Sequence, residues 1–413
     1  MKIQKPILFF FIFSKLFLIA SSLQAAQSRF PCIATAGTTR CLVIFTKFKD
    51  DEFGRDLSQD GAECLQDSIN SWPWYVNDFP AFAKKIIDSV ATDSPTTGSL
   101  TEYFYQMSGG KFYLIGDIYP DLIIPVFEQK HYYRKNGRGI GWFDRKLLEA
   151  LDPKIDFRRY DTNPVDGKAD MIALLFRLLK ARRFEGEHYQ GKAFLGGFKT
   201  ITLDSIEISG KNFGSGFTST CSHFTSVKLL AHEIGHFLFG GWHRYHIGAF
   251  GLMGNDGYSA MCAREREFLG WLEPRIITQT TLNDTLHDLT TTGDARKIYL
   301  NDEAYLLLAN RQRISFFEKQ IDQPCKAGEL PATGLVITYV SGPRISAFSL
   351  LAPDGEITGK GDAEDAWQPD RDDEFDSRSH PGLKTLKNAR QHVRIEKIRS
   401  AGTDLVFNIF IDQ

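Results

Sequence analysis

Two histidines four residues apart with an acid beside the first, His232-Glu233-Ile-Gly-His236, are the part of this sequence best suited to chemistry. Val227, Leu230, Ala231, Ile234 and Leu238 recur at i, i+3, i+4, i+7 and i+11, the pattern of a helix with one buried stripe. On that helix His232 and His236 stand one turn apart on a common face. Two imidazoles so placed can ligate one zinc ion, with Glu233 projecting beside it; two surface histidines on an amphipathic helix are the plainer alternative. A catalytic zinc takes three protein ligands and keeps one position for water, so a third donor is expected. Gly240-Gly241 lets the helix end and the chain turn back, because glycine tolerates the left-handed conformation. His243 is the first donor after that turn; His246 and a more distant acid are the alternatives.

Downstream, Phe250-Gly-Leu-Met-Gly-Asn-Asp-Gly-Tyr258 follows. The helix, the glycine turn, the third histidine and Gly251-Leu-Met-Gly254 resemble the metzincin pattern, whose methionine turn underlies the zinc ligands. Three residues, Phe237-Leu-Phe239, separate His236 from Gly240 where the metzincin form has two, and Met253 could instead be an ordinary core residue. More widely the chain resembles the secreted metallopeptidases of the immune inhibitor A type. Gly98-Ser-Leu-Thr-Glu-Tyr-Phe-Tyr-Gln-Met-Ser-Gly-Gly-Lys-Phe112 is similar to that family's segment before its second strand, and Phe268-Leu-Gly-Trp-Leu-Glu-Pro274 to its closing stretch. Ala304 to Gln312 and Leu330 to Tyr339 are similar to its later strands, so the likeness covers most of residues 41–340. The third donor in that family is usually an aspartate; His243 departs toward the broader metzincin type.

The resemblance implies an α+β fold with a metzincin-like zincin catalytic domain over residues 26–274. It implies a secreted zinc-dependent endopeptidase acting on protein or peptide substrates through a zinc-activated water, with Glu233 as general base. Tyr258, five residues after Met253, is either a hydrogen-bond donor to the developing oxyanion or a loop aromatic. A rival from another class is an exported binding or adhesion protein with a structural or lapsed zinc site.

The elements that must position these residues are partly readable. Cys41 to Phe48, Lys111 to Gly116 and Met171 to Phe176 read as strands, and Phe79, Phe82, Ile86, Ile87 and Val90 fall at helical spacing. After Pro274 short strands take over: Lys297–Leu300, Tyr305–Ala309, Gly334–Val340, Val393–Ile398 and Leu405–Ile411. They predict an all-β, sandwich-like C-terminal domain over 275–413. The acidic stretch from Gly361 to Asp376 reads as a solvated loop, with cation binding as the alternative.

Residues 1–25 pair two early lysines with an apolar run, Ile7 to Ala20, and small residues ending at Ala25 and Ala26, the pattern of a cleaved signal peptide. The run is shorter than the roughly 20 residues of a membrane span and carries Lys15, so no stable membrane insertion is expected after cleavage. The product is expected to be secreted or periplasmic. In an oxidising compartment Cys32, Cys41, Cys64, Cys221, Cys262 and Cys325 would form up to three disulfides, Cys221 with Cys262 among the candidates. Cys32 could instead reach the active site as a latency thiolate. Asp161, Asn163, Asp166 and Asp170 lie in one turn-rich loop with Gly167, an arrangement that suits calcium or, alternatively, a solvated Asx-turn loop.

Across 413 residues, 49 Lys and Arg stand against 51 Asp and Glu, a net charge of -2; losing Lys2, Lys5 and Lys15 with the signal takes it to -5. Without a positive field nucleic-acid binding is not expected. The 42% of hydrophobic residues and 33 phenylalanines exclude a disordered chain and predict sizeable cores in about two to three folded domains.

Overall fold

Apolar runs that do not alternate mark strands buried on both faces, and two such runs organise the molecule. The first lies in β1 (Gly37–Thr46): Cys41, Val43 and Phe45 enter one core while Leu42 and Ile44 enter another. The second lies in β11 (Tyr305–Arg311), where Tyr305, Leu307 and Ala309 join the first core and Leu306 and Leu308 a third. These assignments come from a computed structural model, which describes residues 31–47, 78–93, 96–123, 140–177, 191–193, 199–210, 213–218, 223–241, 243, 245–254, 260–321, 333–355, 365–369, 371–383 and 390–412. The predicted signal segment and Tyr258 lie outside them.

β1 sits in a five-stranded sheet with β2 (Phe112–Ile118), β3 (Met171–Arg177), β4 (Gly191–Ala193) and β7 (Phe213–Thr218), in the order β2-β1-β3-β7-β4. All pairings are parallel except that of β4, which runs antiparallel to β7 at the edge. β5 (Ile201–Leu203) and β6 (Ile206–Ile208) form a hairpin whose two turn residues, Asp204 and Ser205, both have positive φ, the requirement of a tight I′-type turn. Helix α1 (Leu100–Ser108) begins in a capping box: the Ser99 hydroxyl accepts from Glu102 N at 3.1 Å and Ser99 N donates to the Glu102 carboxylate at 3.2 Å. Helix α2 (Ile140–Leu151) contributes Leu147, Leu148 and Leu151 to the second core, and α3 (His223–Phe239) and α4 (Ala263–Phe268) lie on the first.

The second half of the chain stacks two further sheets. One has the order β13-β12-β11-β10-β8, made of β8 (Arg275–Ile276), β10 (Arg296–Tyr299), β11, β12 (Gly334–Val340) and β13 (Phe348–Leu350). The other has the order β14-β15-β16-β9, made of β9 (Thr281–Leu286), β14 (Phe375–Asp376), β15 (His392–Ala401) and β16 (Asp404–Asp412). Ile298, Leu306 and Ile337 of the first share a core with Val393, Leu405 and Phe407 of the second. The first core crosses residue 274: Tyr103 and Phe104 of α1 belong to the same cluster as Leu307 and Val336. The chain is therefore mixed α and β with sheet predominating. No helix of the described residues is long and apolar enough to cross a membrane.

Several expectations change. Only a 3-10 turn, Ala83–Lys85, stands in the predicted helix from Phe79 to Val90. The Ile86 carbonyl instead accepts from Leu100 N and the Asp88 carbonyl from Gly116 N, both at 2.8 Å, so this backbone ties α1 to β2 and cannot close a helix. Phe82, Ile86 and Ile87 are buried all the same, while Val90 is exposed.

The C-terminal part is not purely β: α5 (Leu289–Thr292) and α6 (Phe316–Ile321) interrupt it, and Phe317 packs edge-on against Tyr103 at 5.3 Å. The acidic stretch is not wholly solvated either, since Asp365, Ala366, Trp367 and Phe375 are buried. Cys41 and Cys262 are buried free thiols, so neither three disulfides nor the Cys221–Cys262 bridge form. The neighbours of Cys41 across its strand are Gly116 and Met171, neither of which offers a thiol. Cys64, Cys221 and Cys325 lie outside the described residues.

Candidate metal centre

Helix α3 presents its apolar stripe, Val227, Leu230, Ala231, Ile234 and Leu238, to the first core, each at most 1% exposed. That contact fixes the rotation of the helix and so the direction in which His232 and His236 point. The helix stops at Gly240, whose φ of 97° is closed to other residues and whose N–H caps the His236 carbonyl at 2.9 Å. The reversal brings His243 back. The three imidazole centroids form a triangle with every side 5.0 Å, and one ligand atom from each lies within 4.8 Å of the others. Among the described residues this is the one group of three or more His, Cys, Asp or Glu side chains so gathered.

Hydrogen bonding fixes which nitrogens are available. His232 Nδ1 lies 2.8 Å from the Leu252 carbonyl and His236 Nδ1 lies 3.0 Å from that of Gly240. A carbonyl only accepts, so each Nδ1 must carry the hydrogen and each Nε2 is left as a lone-pair donor. Burial, reinforced at His232 by the neighbouring His236, lowers the pKa of both rings to about 4, and partial desolvation lowers that of His243. All three are neutral near pH 7, the state that binds a metal. His236 is buried, His232 half-buried and His243 exposed, so the cluster opens to solvent on one side. Glu233 is buried one residue after His232 on the same helix.

Met253 sits beneath the centre. A Cβ added to Gly235, between the two helix histidines, would lie 2.5 Å from Met253 Sδ and 3.1 Å from Leu252 Cδ2, so the turn bearing the methionine abuts the helix where no side chain intervenes. Gly254 is required for a similar reason: a Cβ there would fall 1.8 Å from the Gly248 carbonyl oxygen. The turn is held from the other side by Glu265 of α4, 1% exposed, which accepts from Leu252 N at 3.0 Å, Met253 N at 2.9 Å and Cys262 N at 2.9 Å. Sequence reading passed over Glu265; its signal was the capping-box spacing from Cys262 to Glu265 at the start of a helix.

Of the four loop residues that suit calcium, Asp161, Asp166 and Asp170 do not gather as a three-carboxylate group. Asp161 accepts from the N–H groups of Asp166 and Gly167, at 2.8 and 2.9 Å, and Asp170 accepts from those of Thr162 and Asn163, at 2.8 and 3.0 Å. Asn163 Nδ2 donates to the Ala36 carbonyl at 2.8 Å, and Asp166 pairs with Lys168 at 2.6 Å. Asp166 Oδ1 also accepts from Lys168 N at 3.1 Å, an Asx-turn bond, whereas Asp161 and Asp170 hold backbone N–H groups farther along the loop. Cys32 donates its N–H to the Phe237 carbonyl at 2.7 Å, but its thiol is not among the converging ligand atoms. The side chain of His246 and all of Tyr258 lie outside the described residues. Compared with known protein-family models and with curated protein sequences, the chain matches none.

Proposed function

We propose that this chain is an exported zinc-dependent endopeptidase of metzincin-like type, and the convergence of His232, His236 and His243 is the observation that carries the reading. The donor set fits zinc: three neutral imidazoles suit a borderline-soft divalent ion, and a cluster open to solvent at His243 leaves room for a further ligand, as a catalytic rather than structural site requires. The helix reversal at Gly240 and the methionine turn packed on Gly235 support the metzincin-like assignment.

Zinc, when bound by the three histidines, supplies a Lewis acid that lowers the pKa of water toward neutrality and stabilises negative charge on a scissile carbonyl oxygen. Glu233 takes the proton from the attacking water and returns it to the leaving amine, a task that needs a carboxylate beside the metal ligands and sheltered from bulk solvent. The Leu252 and Gly240 carbonyls hold His232 and His236 in the tautomer that ligates. Strand β4 ends its sheet among the described residues and packs against α3. An extended peptide added along that edge would satisfy its own backbone hydrogen bonds while lying beside the helix that carries the histidines.

The test is cleavage of casein or gelatin by the full chain, with and without a chelator, beside the Glu233→Gln variant. Cleavage that stops on chelation and returns with zinc, and a variant that keeps its zinc but loses about 10²- to 10⁴-fold in rate, are expected. An unimpaired variant would remove Glu233 from its role. Zinc binding without cleavage would favour the binding-protein alternative.

A further inference from the structure

Glu265 stands apart from the other buried carboxylates in what its partner does next. The peptide group joining Leu252 to Met253 donates its N–H to Glu265 at 2.9 Å and accepts at its carbonyl from His232 Nδ1 at 2.8 Å. One planar unit therefore lies between a buried carboxyl group, whose pKa burial raises while three backbone N–H donors favour its ionised form, and a candidate metal ligand. A carboxylate at the N–H end polarises the peptide and makes its carbonyl a stronger acceptor, and a stronger acceptor at Nδ1 makes the other imidazole nitrogen a better donor.

We propose that Glu265 is a positioning residue of the metal centre, acting on His232 through the Leu252–Met253 peptide as the outer carboxylate of a carboxylate–peptide–histidine relay. Three further observations converge on this role. Glu265 also accepts from Leu252 N, so both peptide groups flanking residue 252 are anchored to it. Gly251 brings the turn onto the carboxylate, since a Cβ there would lie 3.0 and 3.1 Å from its two oxygens. Burial of the carboxylate leaves little water to screen its charge, so the field is felt along the relay. The Nδ1 of His236, by contrast, meets the Gly240 carbonyl, a contact that closes within its own helix terminus.

The inference rests on the zinc reading above, and the experiment separates the two. Zinc affinity of the full chain is measured by competition with a chromophoric chelator for the wild type, Glu265→Gln and Glu102→Gln. Glu102 is the matched control: it is equally buried and also accepts several backbone N–H groups at a helix start, but it makes no bond to the methionine turn. Glu265→Gln is expected to weaken zinc binding about 10- to 100-fold and to shift the visible bands of the cobalt-substituted protein. Glu102→Gln is expected to lower the melting temperature while leaving both unchanged.

Equal zinc affinity in wild type and Glu265→Gln, or equal weakening by both variants, would overturn the relay. A wild type that binds no zinc would overturn the zinc reading itself. Should Glu265→Gln not fold, amide spectra of the wild type decide: on zinc addition the Met253 amide must shift more than the Cys262 amide, which bonds the same carboxylate outside the relay. Equal shifts would overturn the proposal.

Discussion

His232 and His236 hold their protons far more weakly than exposed imidazoles do, and this has a measurable cost in acid. Burial takes both folded pKa values to about 4, below the unfolded value near 6.5. Between these values the unfolded chain binds more protons than the folded one, so stability falls as pH drops through that window. The metal-free protein is expected to be fully stable with respect to these groups above about pH 6.5 and to lose melting temperature steadily toward pH 4, the loss being smaller in a His232→Phe, His236→Phe double variant. Identical pH profiles for the two proteins would contradict the assigned burial.

The histidine pair was legible in the sequence because ligand type, helical spacing and the apolar stripe all reside in one short segment. Glu265 was not, because its role depends on burial and on backbone N–H groups that have no residue type. The loop acids show the converse: in sequence a carboxylate suited to calcium and one that holds backbone N–H groups look alike, and only the hydrogen bonds of Asp161 and Asp170 show the second role.

At the scale of elements, the turn from Gly251 to Gly254 is where small residues do what no other type could. Replacing Gly254 by alanine drives a methyl group into the Gly248 carbonyl, backbone against backbone, with no flexible side chain to yield. Gly254→Ala should therefore destabilise the protein by about 1–3 kcal/mol and weaken metal binding with it. Alanine at Gly241, around which an added Cβ meets nothing within 4 Å, should do neither. Calorimetry and zinc titration on the two variants check this; equal behaviour would show that the turn is looser than described.

Among the described residues β1, β2, β3, β10, β11, β12, β15 and β16 were legible as apolar runs, whereas β4 to β9, β13 and β14 are two to six residues long and several are broken by glycine or polar residues. The segment from Phe79 to Val90 has the periodicity of a helix, yet its carbonyls serve α1 and β2. Pairing with Leu100 and Gly116, well beyond one helical turn, leaves no local trace.

On the whole-molecule scale, the change of texture at Pro274 is real in composition, but burial runs through it. Tyr103, Met107 and Phe104 share one cluster with Leu307, Val336 and Phe317. Helix α4 ties the halves together further: Glu267 accepts from Lys297 Nζ at 2.8 Å and Tyr305 Oη at 2.6 Å, and Arg264 donates to the Pro343 carbonyl at 2.9 Å. The same helix carries Glu265, so the support of the metal centre is continuous with the second sheet. The described parts of the full chain are expected to unfold together in one calorimetric transition, shifted upward by zinc. Two transitions, only one of them responsive to zinc, would contradict a shared core.

The central claim is that three imidazoles bind one ion. Metal content of the purified full chain after exhaustive dialysis, compared with that of His243→Ala, tests it directly. One equivalent of zinc per chain in the wild type, and weak or substoichiometric zinc in the variant, are expected. No stoichiometric metal in the wild type, or an undiminished equivalent in the variant, would contradict it.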